Sequence, residues 1–244
     1  MKVGKGLAKT ILARVKNEKI ILSRVACLGQ DVVKLKEEQK INLINQQKVR
    51  IDLLLDRLNG APKPIVKLIE PHLLRKDILF MLVQQEDLPW FDMKLSGDTI
   101  LLDSYSELTD QKFVHKKDGW AFACNYTDIN HTDAFKEQFD ALGLLKLDEL
   151  EKYYRLYFDF LNKKYPGKKI IFLHFPTALD KRQHFIERGE TIIKVIEKLT
   201  KEYPGLVSIR IADKDVHPHE DDDFPYHYGK ETYKVFLKEL NRYI

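Results

Sequence analysis

The sequence predicts a three-layer α/β/α domain built on a mostly parallel sheet. Its second half alternates helical stretches with turns at Pro166-Gly167 and Pro204-Gly205 and with short apolar runs. That alternation is the pattern of parallel strands joined by helical crossovers. The runs T-I-L-L (99–102), K-K-I-I-F-L-H-F (168–175) and L-V-S-I-R-I-A (206–212) are largely continuous in apolar character, as strands covered on both faces are. With 244 residues, 44% hydrophobic and 32% charged, the chain can bury a sizeable core.

Taken in order, residues 5–16 place Leu7, Ile11, Leu12 and Val15 at helical spacing with basic residues opposite. This predicts an amphipathic helix over 1–17, docking on the body, on a neighbouring domain or on an anionic membrane surface. Lys19–Leu28 reads as a first strand and is also compatible with helix. Residues 31–58 carry apolar side chains at threes and fours, from Val32 to Leu58, and Asn59-Gly60 is a helix stop. They read as one helix or two. Pro62 and Pro64 break the chain, and 65–86 reads as helix again. A helical insertion at about 31–95 therefore lies within a domain of 18–244. Thr99–Leu102 is the next strand, and 111–132 reads as irregular. Residues 133–142 form a short helix capped by Thr132 or Asp133. Helices follow at 147–164, 180–202 and 230–242.

Lys and Arg number 41 against 37 Asp and Glu, a net charge of +4, which is no basis for nucleic-acid binding. Two cysteines, Cys27 and Cys124, stand far apart with no metal-type spacing, which suits a reducing compartment. No apolar run reaches the length of a signal peptide core or a membrane span. The expected location is the cytoplasm, peripheral to a membrane if the first helix lies on one. G-K-G-L-A-K-T lacks both a preceding strand and the glycine before lysine of a phosphate-binding loop. The loop 213–229 holds His217, His219 and His227 among six acids, but the acids are consecutive and H-P-H is poor ligand spacing. No metal and no cofactor are expected.

In parallel sheets the ligand site lies beyond the carboxyl ends of the strands. One such end is T-I-L-L-D-S-Y-S-E-L, which delivers Asp103, Ser104, Tyr105 and Glu107. Ser104 reads either as a nucleophile or as the first polar residue after a strand. In D-D-D-F-P-Y-H-Y-G, His227 is shielded by Tyr226 and has Asp222 and Asp223 within reach to orient its ring. An imidazole held by a carboxylate is the general-base half of a nucleophile triad, and a structural capping histidine is the other reading. In F-P-T-A-L-D-K-R, Thr177 and Arg182 open a helix at a strand end and suit an anionic substrate group. The alternative there is that Asp180 caps the helix and the arginines are solvated or paired.

These blocks resemble those of the SGNH/GDSL-type hydrolases. D-D-D-F-P-Y-H-Y-G before the last helix is similar to the family's final D-x-x-H block, and I-L-L-D-S-Y-S-E-L to its first, with Leu102 where glycine belongs. The resemblance runs over residues 98–244. F-P-T-A-L-D-K-R and Y-H-Y-G-K-E-T-Y further resemble SGNH-like proteins of bacterial capsule and cell-surface polysaccharide loci. It implies an SGNH/flavodoxin-like sheet and a Ser104–His227–Asp223 (or Asp222) triad. Asp103, Tyr105, Glu107, Thr177, Arg182 and Tyr226 would then lie at the substrate. Two departures stand out. If Lys19–Leu28 is the first strand, Gly29-Gln30-Asp31 falls where Gly-Asp-Ser is expected and Cys27 falls inside the strand. No G-x-N-D block is present, although Asn125 and Asn130 are available.

Two functions follow as expectations. One is an esterase or O-acyltransferase acting on a bacterial surface glycan or its precursor, or on another small-molecule ester. The other is a non-catalytic module of the same fold in polysaccharide biosynthesis. A phosphoryl- or glycosyl-transferring enzyme using Asp103, Asp110 and Arg182 is a third class with less support.

Overall fold

The computed structural model describes residues 19–36, 40–88 and 99–244. The expected N-terminal helix over 1–17 lies outside the described residues. The main sheet is five-stranded, parallel throughout, in the order β2-β1-β3-β7-β8. Its strands are β1 (Lys19–Arg24), β2 (Ile41–Asn45), β3 (Thr99–Asp103), β7 (Lys169–Leu173) and β8 (Leu206–Ile209). Central β3 is buried at all five residues, which explains its unbroken apolar run.

Helices α1 (Cys27–Lys34), α2 (Ile51–Leu58), α7 (Leu150–Lys164), α8 (Gln183–Thr200) and α9 (Lys230–Leu240) cover the sheet. Right-handed crossovers fix their faces. The chain steps outward from β1 to β2 through α1, then reverses and steps through β3, β7 and β8 by way of α2, α7 and α8. The reversal puts α1 on one face and α2, α7 and α8 on the other. Consistently, α1 packs with α9, while α7 packs with both α2 and α8.

Two stretches differ from the expectation. Residues 31–58 contain a strand, Ile41–Asn45, where apolar spacing suggested helix. Ile41, Leu43 and Asn45 alternate with Asn42 and Ile44, and pairing with β1 outweighs the weak helical period. The region 111–132 is not irregular. It forms β4 (Asp110–His115) and β5 (Ala121–Asn125), and 139–143 adds β6 (Phe139–Gly143) to an antiparallel sheet of order β5-β4-β6. The helix expected over 133–142 therefore stops at Gln138, as α6 (Asp133–Gln138), capped by the Thr132 hydroxyl.

The small sheet builds its own aromatic core from Phe113, Trp120, Phe122, Phe135 and Phe139. Segments from α3 (Val66–Ile69) and α4 (Leu79–Asp87) close it. The short helix α5 (Tyr105–Thr109) joins β3 to β4. Among the described residues no helix is long and apolar enough to cross a membrane.

Candidate active site

The strand order reverses between β1 and β3, and a crevice opens where the chain diverges at their carboxyl ends. A cavity of about 360 Å³ occupies that position. Ala26 and Cys27 enter it from the end of β1, Gln47 and Lys48 from the end of β2, and Tyr105 from the end of β3. Phe224 and His227 close it from the loop before α9, and Arg75 and Met81 from the segment before and within α4.

Cys27 is the first residue of α1, not an interior residue of β1, because the strand ends at Arg24. Its Sγ donates to the Tyr226 carbonyl at 3.5 Å. Burial, with Asp103 and Asp31 adding negative charge, pushes the thiol up to about 12. The residue before α1 makes no side-chain cap bond to its first amide groups.

His227 is oriented by Asp222. Its Nδ1 makes a short contact with Asp222 Oδ2, while Asp222 Oδ1 accepts from Phe224 N at 2.8 Å. The Phe224 ring packs edge-on to the imidazole at 4.9 Å. The bond to His227, with the Phe224 amide next, holds the Asp222 carboxyl below its usual range. Asp223 is exposed, so of the two neighbouring acids it is Asp222 that meets the imidazole.

Lys48 adopts φ +58°, a left-handed conformation that costs a non-glycine residue about 1 kcal/mol or more. Its ammonium is buried between Asp110 (3.2 Å) and Asp128 (3.0 Å). Burial alone would neutralise it, but the two carboxylates overcome this and raise its pKa. This triple pins the small sheet to the cavity. Arg75 reaches one of these carboxylates from the rim, with Nη1 3.6 Å from Asp128.

The other residues expected at the site separate into two groups. Tyr105 lines the cavity, its ring 5.0 Å from Phe175 and edge-on to Tyr226 at 6.0 Å. Tyr226 is buried behind it and donates to Asp180 Oδ2 at 2.6 Å. Arg182 pairs with Asp180 at 2.7 Å and lies over the Tyr226 ring, so it supports the His227 loop from behind. Thr177 packs against Gly189, where a Cβ would meet its methyl at 2.6 Å. Ser104 does not line the cavity. It is 3% exposed and its Oγ accepts from Phe175 N at 3.0 Å, so the hydroxyl is engaged at β7's end. Glu107 is fully buried. It takes both Arg24 amino groups, Ile51 N and the Tyr154 hydroxyl, and is a packing anchor rather than a site wall. Asp103, 2% exposed, spends both oxygens on backbone amides. Among the described residues no group of three or more His, Cys, Asp or Glu could hold a metal ion.

Comparison with solved structures finds a Streptococcus pneumonia protein described as a platelet activating factor. It is 11% identical, with a TM-score of 0.48, over 97% of this chain and 93% of that one. It also finds a Bacteroides ovatus protein described as a GDSL-like lipase, 14% identical with a TM-score of 0.45, over 92% of this chain. This chain spans 52% of that second structure. No family model matches the sequence, and no curated protein matches it. At these scores the fold rests on the sheet order and the site on its own geometry.

Proposed function

We propose that the chain handles acyl esters, as an esterase or O-acyltransferase, with Cys27 as nucleophile in place of the serine expected from sequence. The observation that carries this reading is that Cys27, at an uncapped helix start, and His227, held by Asp222, share one cavity at the sheet's reversal point. The thiol's high pKa means it reacts only with a base beside it, which is the role assigned to His227. His227 takes the Sγ proton as sulfur attacks the acyl carbon. The carbonyl oxygen becomes an oxyanion facing the first amides of α1. Collapse of the tetrahedral species expels the alcohol, which takes the proton from the imidazole and leaves a thioester on Cys27. Water or an acceptor hydroxyl, deprotonated by the same imidazole, then takes the acyl group and frees the thiol. Asp222 fixes the tautomer throughout. The glycan substrate is supported by the resemblance of the F-P-T-A-L-D-K-R and Y-H-Y segments.

The test is turnover of p-nitrophenyl acetate, with intact mass read for an acetylated intermediate. The acetyl adduct and turnover are expected in wild type and Ser104→Ala, and lost in Cys27→Ala and His227→Ala. Turnover that survives Cys27→Ala would refute the nucleophile. The bond of Sγ to the Tyr226 carbonyl and the raised thiol pKa favour a second reading, a binding module with an inert thiol. A folded wild type with neither adduct nor turnover would support it.

A further inference from the structure

Arg182, the cation that the sequence suggests for an anionic group, is taken by Asp180 and lies over the Tyr226 ring, behind the site. The cavity itself has other cations. Among the described residues no carboxylate lines it, and its permanently charged walls are Lys48 and Arg75. The two are not equivalent. Lys48 is buried, and Asp110 and Asp128 answer its charge. Arg75 is 59% exposed at the rim. Its Nε and Nη2 donate to Asp77 at 3.3 and 2.6 Å, along one edge of the guanidinium. Its Nη1 stands 3.6 Å from Asp128 Oδ1, beyond hydrogen-bond range. Asp128 is already engaged, because its Oδ2 accepts from Lys48 at 3.0 Å and from Asn125 N at 3.1 Å. Arg75 therefore has donors to spare on its second edge. The pair on its first edge holds weakly, since Asp77 is as exposed as Arg75 and water replaces it at little cost.

We infer that the cavity selects an anionic ligand, whose carboxylate or phosphate sits on Arg75 while its remainder reaches Cys27 and His227. As a statement about substrate this rests on the acyl-ester reading: the ester would be one that carries a negative charge apart from its scissile carbonyl. A planar guanidinium with open donors takes two oxygens of such a group side by side. The oxyanion binds Nη1 and Nη2, Asp77 turns to water, and Lys48 stays with its two carboxylates. Met81, Tyr105 and Phe224 supply apolar and aromatic wall for the uncharged part. At about 360 Å³ the cavity suits one small molecule that touches the rim and the thiol together.

The test has a binding arm and a turnover arm. In the first, proton–nitrogen correlation spectra of the folded protein are titrated separately with succinate, inorganic phosphate and uncharged succinamide. Succinate or phosphate should move the Arg75 Nε–H signal and the Cys27 and His227 amides along one saturable curve, and succinamide should not. Arg75→Gln should abolish the saturable shifts at Cys27 and His227. Arg75→Lys, which keeps the charge and loses the paired donors, should weaken them. Arg155→Gln removes the same charge from the Glu151 pair on α7 and should leave them as in wild type. Tighter binding of succinate assigns a carboxylate ligand, and tighter binding of phosphate a phosphorylated one. Equal shifts with succinamide, no saturable shift at all, or shifts that survive Arg75→Gln overturn the inference. In the second arm, kcat/KM is compared for para-acetoxybenzoate and para-acetoxybenzamide, which differ only in charge at the far end of the ring. The ratio should favour the anion and fall roughly 10-fold or more in Arg75→Gln. A ratio near one in wild type, or one that the variant leaves unchanged, overturns the substrate class. Turnover of neither ester counts against the acyl-ester reading alone, because the spectra decide the anion site without it.

Discussion

Replacing Glu107 by glutamine should destabilise the fold by several kcal/mol. The carboxylate takes Arg24 Nη1 at 2.8 Å and Nη2 at 2.9 Å, Ile51 N at 2.9 Å and the Tyr154 hydroxyl at 3.1 Å. Both partners of the ion pair are within 2% of full burial. Glutamine keeps one acceptor oxygen but turns an amide NH2 toward two donors. Arg24, which also donates to the Val49 carbonyl, keeps its charge with no anion to face. Breaking a buried pair from one side costs roughly 3–5 kcal/mol. At this chain length each kcal/mol lowers Tm by about 2–4 °C, so a fall of roughly 6–20 °C is expected. Urea unfolding followed by circular dichroism should show a lower midpoint at unchanged slope. The double variant Arg24→Met, Glu107→Leu should recover much of the loss, because it leaves no buried charge. A Glu107→Gln protein within about 1 kcal/mol of wild type would refute the anchoring role.

Three further outcomes are expected. Gly29→Ala would place a Cβ 2.6 Å from Val25 Cβ and Cγ1, so it should cost about 1–3 kcal/mol in urea unfolding and slow Cys27 turnover by displacing the turn. Asp222→Asn should lower kcat by roughly 10²-fold or more with KM little changed; an unaffected kcat would remove Asp222 from the mechanism. His174 is held near 3 by burial, with Arg210 adding to the effect, so it stays neutral in the fold while the unfolded chain protonates near 6.5. Its contribution is therefore present above pH 6.5 and lost as pH falls toward 3. Relative to His174→Gln, wild type should lose about 1.4 kcal/mol per pH unit over that window, and parallel stability curves would show the assignment to be wrong.

The layers were readable because β3, β7 and β8 are largely apolar runs set off by Pro-Gly turns or a loop. β2 was not, because I-N-L-I-N alternates within a stretch whose other apolar residues fit a helix. Its pairing with β1 is a tertiary fact. The antiparallel strands were hidden by their aromatic and charged composition. At the candidate site, D-D-D-F-P-Y-H left Asp222 and Asp223 both open as partners of His227, and the structure pairs the ring with Asp222, five residues away. Cys27 was obscured by a strand end placed four residues too late, at Leu28 rather than Arg24. Once Val25-Ala26 is a turn, Cys27 falls at the helix start, ahead of the Gly29-Gln30-Asp31 stretch at which the serine was sought. Lys48 and Arg75 carry no local signal, since Lys48 depends on β2, which the sequence hid, and Arg75 on the docking of the segment before α4. Glu107 looked like a site acid because it follows a strand, but Arg24 on the adjacent strand draws it inward.

The uneven pairing of the main sheet bears on how the molecule breathes. β3 and β7 are in register over five residues, but β1 and β3 over only three, Leu22–Arg24 against Ile100–Leu102. That short seam divides an early-sequence pair of strands from the three contributed later, and the cavity sits on top of it. Amide exchange should therefore reach β1 before β3 and β7, as a partial opening rather than global unfolding. Such an opening parts Cys27 from Tyr105 while leaving the larger half of the sheet intact. The candidate cavity and the place where the fold yields first are then the same, and anything bound there would act as the missing rungs of the ladder.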